Sequence, residues 1–432
     1  MSHPRMAAAA LLALGLAACS DQPSAPLAEA RLDPLALQQQ QEEVVPGEIL
    51  IKMKDGISLN ELTGRTPGLR LERRLAERSR IAVLSVARGS ERAEAARLSA
   101  DPRVEYAEPN YIRRIEGWAH YNPGGLTAYF NTSPFAALPS TYSSITDADI
   151  DAVAGIGSGG SQVVIGSLDT GADTDHPELT GKLILGWDWA NSDALPEDDN
   201  GHGTHTIGTM VGTTVGVAGV TGAGTNVKVY VQKVCTAAGS CPTANIVNAI
   251  YAAADYPGMV AMNLSLGGTS ISTAEVNAIN YAVNTKGVLV IAAAGNSGAG
   301  TVGCPACNVN SISVAATNWR DARAYYSQYG SGLDISAPGG ELYSNTTNEM
   351  GIYSTYLSGG YAYLQGTSMA TPQVTGAAGV VASKTGLTGA ALRTRLQSTA
   401  DDKGAAGYDT TFGNGRLNVY RAITNTTLAY PG

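Results

Sequence analysis

Histidine and cysteine are scarce in this chain, with five of each among 432 residues, and the scarcity limits its chemistry. His202 and His205 lack both the spacing and the Glu of a helical HExxH zinc motif, which excludes that route to a metal-activated water. No thioredoxin-like pattern surrounds Cys304-Pro305-Ala306-Cys307, so a dithiol redox centre is disfavoured. Basic residues are also few where it matters. Residues 117–432 hold 12 Lys/Arg against 21 Asp/Glu, a net charge of −9, which repels phosphate backbones and excludes nucleic acid as a partner. The apolar run from Ala7 to Ala18 holds twelve residues, too few to span a bilayer. No internal repeat is visible.

The composition that is present divides the chain near residue 116. Residues 20–116 carry 15 Lys/Arg and 16 Asp/Glu in 97 positions, whereas 45 of the 51 glycines follow residue 116. A charge-dense segment therefore precedes a glycine-rich one, and we divide the chain accordingly. Residues 1–18 are expected to be a signal peptide, with Arg5 ahead of the apolar run. Residues 19–45 read as a flexible tether, polar and without period. Residues 46–116 read as a small α+β domain, with strands over 48–54, 81–86 and 104–115 and a helix over 90–100. Residues 117–432 form the main domain, in which 117–145 has no readable period. Apolar runs at 162–169, 227–234, 259–266, 288–294 and 311–316 alternate with helical stretches at 245–256, 272–286, 368–384 and 388–400. That alternation predicts an α/β fold, a doubly wound, mostly parallel sheet with helices on both faces. Ser272 and Glu275 stand at capping-box spacing.

Three islands carry the chemistry: SLDTGADTDHP at 167–177, GHGTHTIG at 201–208 and GTSMATP at 366–372. A serine hydroxyl is a poor nucleophile unless an imidazole takes its proton and a carboxylate orients that imidazole. Ser368, His202 and Asp169 supply those groups in the order Asp, His, Ser, and Asp169 ends an apolar run, as a residue delivered by a buried strand does. Pro372 is expected in the first turn of the helix that Ser368 opens, where its missing N–H costs little.

These islands, with NLSLGG at 263–268, AAAGNSG at 292–298, YSQYGSGLDISAPGG at 326–340 and FGNGRLNVYRA at 412–422, resemble the subtilisin family of serine proteases over residues 145–425. The triad order matches the one known for subtilisin. The resemblance implies a serine endopeptidase acting on proteins or peptides through an acyl-enzyme. It makes Asn296 the oxyanion donor beside the Ser368 backbone N–H, leaving His205 and His176 structural. It also implies a substrate edge at Ser265, Leu266 and Gly267, and a pocket wall of Ala293, Ala294 and Gly295 with room for a large apolar or aromatic side chain. DPRVEYAEPNYI at 101–112 resembles the end of the family's propeptide, an intramolecular inhibitor, with cleavage expected between Tyr111 and Gly125. In thermitase-like members the loop 187–201 binds calcium, which points to Asp188, Asn191, Asp193 and Glu197 as ligands of a structural ion. A catalytically silent surface binding module and a transpeptidase on the same fold are the alternatives.

Leu16-Ala17-Ala18-Cys19 resembles the bacterial lipoprotein box, which implies lipidation of Cys19 and a membrane-anchored, exported protein, facing the periplasm or cell surface or released after processing. In an oxidising compartment the other four cysteines are expected to pair locally, Cys235 with Cys241 and Cys304 with Cys307, with a four-thiolate zinc site as the rival arrangement.

Overall fold

The structure is a computed structural model that describes residues 42–64, 68–116, 159–213, 215–217, 226–318, 320–342 and 351–426, with the backbone of Trp118 and Ala119. Cys19, the signal, the tether up to residue 41 and most of the stretch 117–158 lie outside the described residues. Among the described residues no helix is long and apolar enough to cross a membrane.

The N-terminal module is a four-stranded antiparallel sheet of β1 (Val44–Met53), β2 (Arg70–Arg74), β3 (Ile81–Ser85) and β4 (Val104–Ile115), in the order β4, β1, β3, β2. Its helices are α1 (Leu59–Thr63) and α2 (Glu91–Ser99). Alternation along β1 sends side chains to opposite faces. Ile49 and Ile51 join Leu59, Leu62, Leu84 and Leu98 in the module's own core. Leu50, with Ile81 and Val83 of β3, faces the other way and is buried against the large domain.

After β5 (Trp118–Ala119), the large domain is built on seven parallel strands. They are β6 (Val163–Asp169), β7 (Leu183–Asp188), β8 (Val227–Lys233), β10 (Met259–Leu264), β12 (Leu289–Ala293), β13 (Ser311–Thr317) and β14 (Ile335–Pro338). Their order is β14, β13, β12, β10, β6, β8, β7. The helices are α3 (His202–Val211), α4 (Thr243–Asp255), α5 (Thr273–Asn280), α6 (Thr367–Thr385), α7 (Gly389–Ser398) and α8 (Val419–Thr424). Val163 and Ile165 of β6 pack with Ile207 of α3 and Val374 of α6, while Val164 and Leu168 pack with Val247 of α4 and Ile279 of α5. Burial on both faces explains why the strand reads as one apolar run instead of alternating.

Three shorter pieces frame the groove described below. They are β9 (Ser240–Pro242), β11 (Leu266–Gly267) and the hairpin β15 (Ile352–Tyr356) with β16 (Gly360–Gln365). The run 259–266 is thus not one strand. It leaves the parallel sheet at Ser265 and re-pairs as β11 with β4. The helix expected over 272–286 is α-helical to Asn280 and ends in a π turn, Tyr281–Thr285, after a complete capping box of Ser272 and Glu275.

Both local disulfides are present, Cys235 with Cys241 and Cys304 with Cys307. With all four thiols so paired, no thiolate set remains for zinc.

Candidate active site

Asp169 ends β6 and His202 opens α3, and the structure brings the two together although 33 residues separate them. His202 Nδ1 donates to Asp169 Oδ1 at 2.7 Å, which fixes Nε2 as the unprotonated nitrogen. Asp169 is held in turn by the Thr170 backbone N–H at 2.7 Å and the Thr206 hydroxyl at 3.3 Å. Both members of the pair are buried, and among the described residues His202 Nε2 has no hydrogen-bond partner.

Ser368 is the second residue of α6, entered through Gly366 at φ 153°, a backbone setting that favours glycine. Its hydroxyl donates to the Ser265 carbonyl at 3.0 Å and not to His202. Among the described residues, the Ser368 hydroxyl and His202 Nε2 therefore share no hydrogen bond. Pro372 is the sixth residue of α6, deeper than the first turn expected from sequence. Proline has no N–H to offer the carbonyl four residues back, which is that of Ser368. The Ser265 hydroxyl donates to that carbonyl instead, at 2.9 Å, and Asn263 Nδ2 donates to the same hydroxyl at 2.9 Å. Ser265 thus links the step between β10 and β11 to the start of α6.

The groove is not empty. The end of β4 lies between β9 and β11, antiparallel to both: Arg113 opposite Cys241, Arg114 opposite Ser240 and Gly267, Ile115 opposite Leu266. The Glu116 N–H donates to the Ser265 carbonyl at 3.1 Å. The Glu116 carbonyl oxygen accepts from Asn296 Nδ2 at 2.5 Å and from the Ser368 N–H at 3.2 Å. Asn296 is aimed by Thr367, whose N–H and hydroxyl both donate to Asn296 Oδ1 at 2.9 Å. Two residues on, Trp118 and Ala119 pair with Gln365 and Leu364 of β16. The chain thus runs through the groove past Ser368, with the carbonyl of Glu116 at the two donors.

The side chain of Glu116 lies against Gly267, where a β-carbon would come within 2.9 Å of Glu116 Oε1. Desolvation pushes its carboxyl up to about 7, against the opposing pull of His202 and the Asn296 hydrogen bond. An acid of the chain's own thus lies beside Gly267, where the resemblance implied room for a large apolar or aromatic side chain. Of the expected wall, Gly295 donates its N–H to Thr367 Oγ1 at 3.2 Å, and Ala293 and Ala294 are fully buried. Both disulfides border the groove. Cys241 lies in β9, and Cys304 exchanges backbone hydrogen bonds with Gly268 at 2.8 and 2.9 Å.

His205 and His176 are structural. His205 Nε2 donates to the Ile352 and Ala362 carbonyls of the hairpin at 3.0 and 3.2 Å, and burial lowers its pKa to about 3. His176 Nε2 donates to the Gly360 carbonyl at 2.9 Å.

The loop expected to hold calcium gathers its residues only in part. Asp188 and Asp193 face each other through two backbone hydrogen bonds, and Asn191 Nδ2 donates to Asp188 Oδ2 at 2.9 Å. Glu197 departs from the set, because its Oε2 accepts from the Thr174 hydroxyl at 2.6 Å. Among the described residues no three Asp, Glu, His or Cys side chains converge as a metal cluster. The oxygen donors suit calcium in kind, but the fourth ligand is committed elsewhere.

Thr170, Thr206 and Thr367 escape the sequence reading, although Thr367 has a local signal in its place directly before Ser368. The strand over 104–115 is legible, but its pairing with β9 and β11 is not, because those partners are more than a hundred residues away.

Comparisons with known proteins place the chain in a family. The sequence profile of the Subtilase family matches residues 160–415, and that of the Fervidolysin N-terminal prodomain matches residues 33–110. The chain is 39% identical over 264 residues to "Thermitase" of Thermoactinomyces vulgaris, covering 61% of this chain and 89% of that one. It is 35% identical over 386 residues to "Thermophilic serine proteinase" of Bacillus sp. (strain AK1), covering 88% of each. A solved cold adapted subtilisin-like serine proteinase superposes with a TM-score of 0.52 at 33% identity, over 60% of this chain and 88% of that one. The chain belongs to the subtilase family of serine proteases and carries an N-terminal prodomain.

Proposed function

We propose that this protease is an endopeptidase working through Asp169, His202, Ser368 and Asn296, and that it first cuts its own chain after Glu116. One observation carries the reading: the Glu116 carbonyl oxygen is held by two donors where charge would develop during acyl transfer. Ser368 Oγ turns from the Ser265 carbonyl toward His202 Nε2, gives up its proton there and bonds to the Glu116 carbonyl carbon. Asp169 stabilises the imidazolium. The Asn296 side chain and the Ser368 N–H hold the oxyanion. His202 then protonates the departing amine of Gly117, and water releases the acyl group by the reverse sequence.

The boundary of the prodomain accordingly falls at 116, with the catalytic domain from 117, inside the window of 111–125 expected from sequence. After cleavage, β4 stays between β9 and β11 as a product-like inhibitor until the module leaves. Substrates are proteins or peptides bound in the same extended manner. Export through residues 1–18, lipidation at Cys19 and anchoring by the tether to residue 45 complete the proposal. Calcium enters only at Asp188, Asn191 and Asp193, as a stabilising ion.

Intact mass of the full chain, wild type beside Ser368→Ala, tests the reading. Loss of a fragment ending at Glu116 in the wild type alone supports it. Loss in both assigns processing to another protease, and loss in neither, with no labelling by a fluorophosphonate, favours the silent binding module.

A further inference from the structure

Arg113 is the fourth residue back from the bond after Glu116, and it is fully buried. Its guanidinium forks onto one carboxylate, Nε to Glu275 Oε1 at 3.1 Å and Nη2 to Glu275 Oε2 at 2.6 Å. Glu275 is also fully buried, on the first turn of α5, where its Oε2 accepts from the Ser272 N–H at 3.0 Å as half of the capping box. Nη1 bonds Glu42 Oε1 at 3.1 Å. Gly268 lets the side chain in, since a β-carbon there would stand 2.9 Å from Nη1. Glu42 belongs to the module and leaves with it. Glu275 belongs to the large domain and stays, together with Thr269 and Ser270, whose polar groups Glu42 occupies before release.

The neighbouring Arg114 shows the contrast. Its side chain is half exposed and reaches Ser240 Oγ at 2.6 Å and Glu43 at the surface. One arginine of the pair is thus enclosed between two carboxylates, and the other is half exposed.

We infer that Glu275 makes this protease select arginine four residues before the cleaved bond. The inference rests on the reading of residues 113–116 as a substrate-like segment. An emptied site would leave the Glu275 carboxylate without the bidentate partner it has here, so a side chain that returns a bidentate cation is favoured over one that does not. Arginine is favoured over lysine as well, because only its planar fork meets both oxygens.

The test uses two isomeric hexapeptides of equal charge, Arg-Ala-Ile-Glu-Gly-Trp and Ala-Arg-Ile-Glu-Gly-Trp, on processed wild-type and Glu275→Gln enzyme. Gln serves in a capping box as Glu does, so the helix start is kept. The wild type is expected to show a kcat/KM ratio of about tenfold to a hundredfold for arginine in the fourth position, a range set by hydrogen bonds to charged groups. The ratio is expected to fall toward one in Glu275→Gln. Equal cleavage of the isomers by the wild type, or an undiminished ratio in Glu275→Gln, overturns the inference and leaves the peptidase reading intact. Cleavage of neither peptide sinks the peptidase reading, and a readout without turnover then decides the inference. In the full chain carrying Ser368→Ala, melting-point losses from Arg113→Ala and Glu275→Gln should be clearly less than additive, and additive losses overturn it.

Discussion

The two larger sheets among the described residues stand on different footings. The seven-stranded sheet is covered on both faces by helices of its own domain, and its strands are near-continuous apolar runs. The prodomain sheet covers one face with its own helices and leaves the other to the large domain, where Leu50, Ile81 and Val83 pack among residues of α4 and α5. The dependence runs in the other direction too. Glu108 Oε1 and Oε2 accept the Ala274 and Thr273 N–H groups at the start of α5, each at 2.9 Å, and Asn110 Oδ1 accepts the Ala244 N–H at the start of α4 at 3.0 Å. Helix starts leave N–H groups unpaired, so each region completes what the other leaves open. The proposed cleavage site after Glu116 thus lies between a domain whose sheet is buried on both faces and a module that leaves one face of its sheet to that domain.

The strongest way to break this comparison is to stop the cut. Asn296→Ala is expected to slow cleavage after Glu116 by about 100- to 1,000-fold, a magnitude that comes from subtilisin itself, while leaving the module docked. Timed intact masses would measure it, and an unchanged rate would mean that the Glu116 carbonyl is not the reacting one. Next in size is the borrowed face. Leu50→Ala, at a fully buried site, is expected to cost about 2–5 kcal/mol. The loss should appear as a lower-temperature transition of the module alone in calorimetry, with the large domain's transition unmoved. A uniform shift of both would show that the two regions unfold as one.

A third effect follows from the acids at the interface. Burial raises the carboxyls of Glu116, to about 7, and of Glu108. An acid whose pKa is raised on docking binds its proton more tightly when docked, so docking is favoured below the ordinary value near 4.5. That advantage is lost as pH rises from there to about 7. The cleaved prodomain should therefore inhibit more weakly at pH 7 than at pH 5, and Glu116→Gln should flatten much of that dependence. Inhibition that strengthens with pH would contradict it. The smallest expected effect is that of calcium. With Glu197 bound to Thr174, saturating calcium should raise the large domain's melting point by only about 1–3 °C, and Asp193→Asn should remove the increment. A much larger rise would mean that Glu197 leaves Thr174 to complete the site.

Much of the large domain is legible in the sequence. β6, β8, β12 and β13 fall on its apolar runs, because a strand buried on both faces carries its signature within its own seven or so residues. β2 and β7 are not picked out: Arg70–Arg74 is an exposed edge strand with no apolar run, and Leu183–Asp188 is a short, part-exposed edge strand whose LILGW lies outside the runs read as strands. The site divides in the same way. Asp169, His202, Ser368 and Asn296 stand in short islands whose residue types carry their chemistry locally. The aim of Ser368 toward Ser265 and the displacement of Glu197 are invisible there, since both depend on which partner lies nearest in space.

Local order, then, is what the chain states outright: alternating apolar and helical stretches, turn glycines, caps such as Ser272 with Glu275, cysteines close enough to pair, and reactive residues set among small neighbours. Each is encoded within about a dozen residues and needs no distant partner. Only the folded molecule decides that β4 continues past its own sheet into a groove, that the Glu116 carbonyl meets the Asn296 side chain and the Ser368 N–H, and that Arg113 meets Glu275 across 162 positions of sequence. Those contacts are selected by burial and charge pairing between segments that share no local pattern, and such selection exists only once the sheet and its helices have been packed.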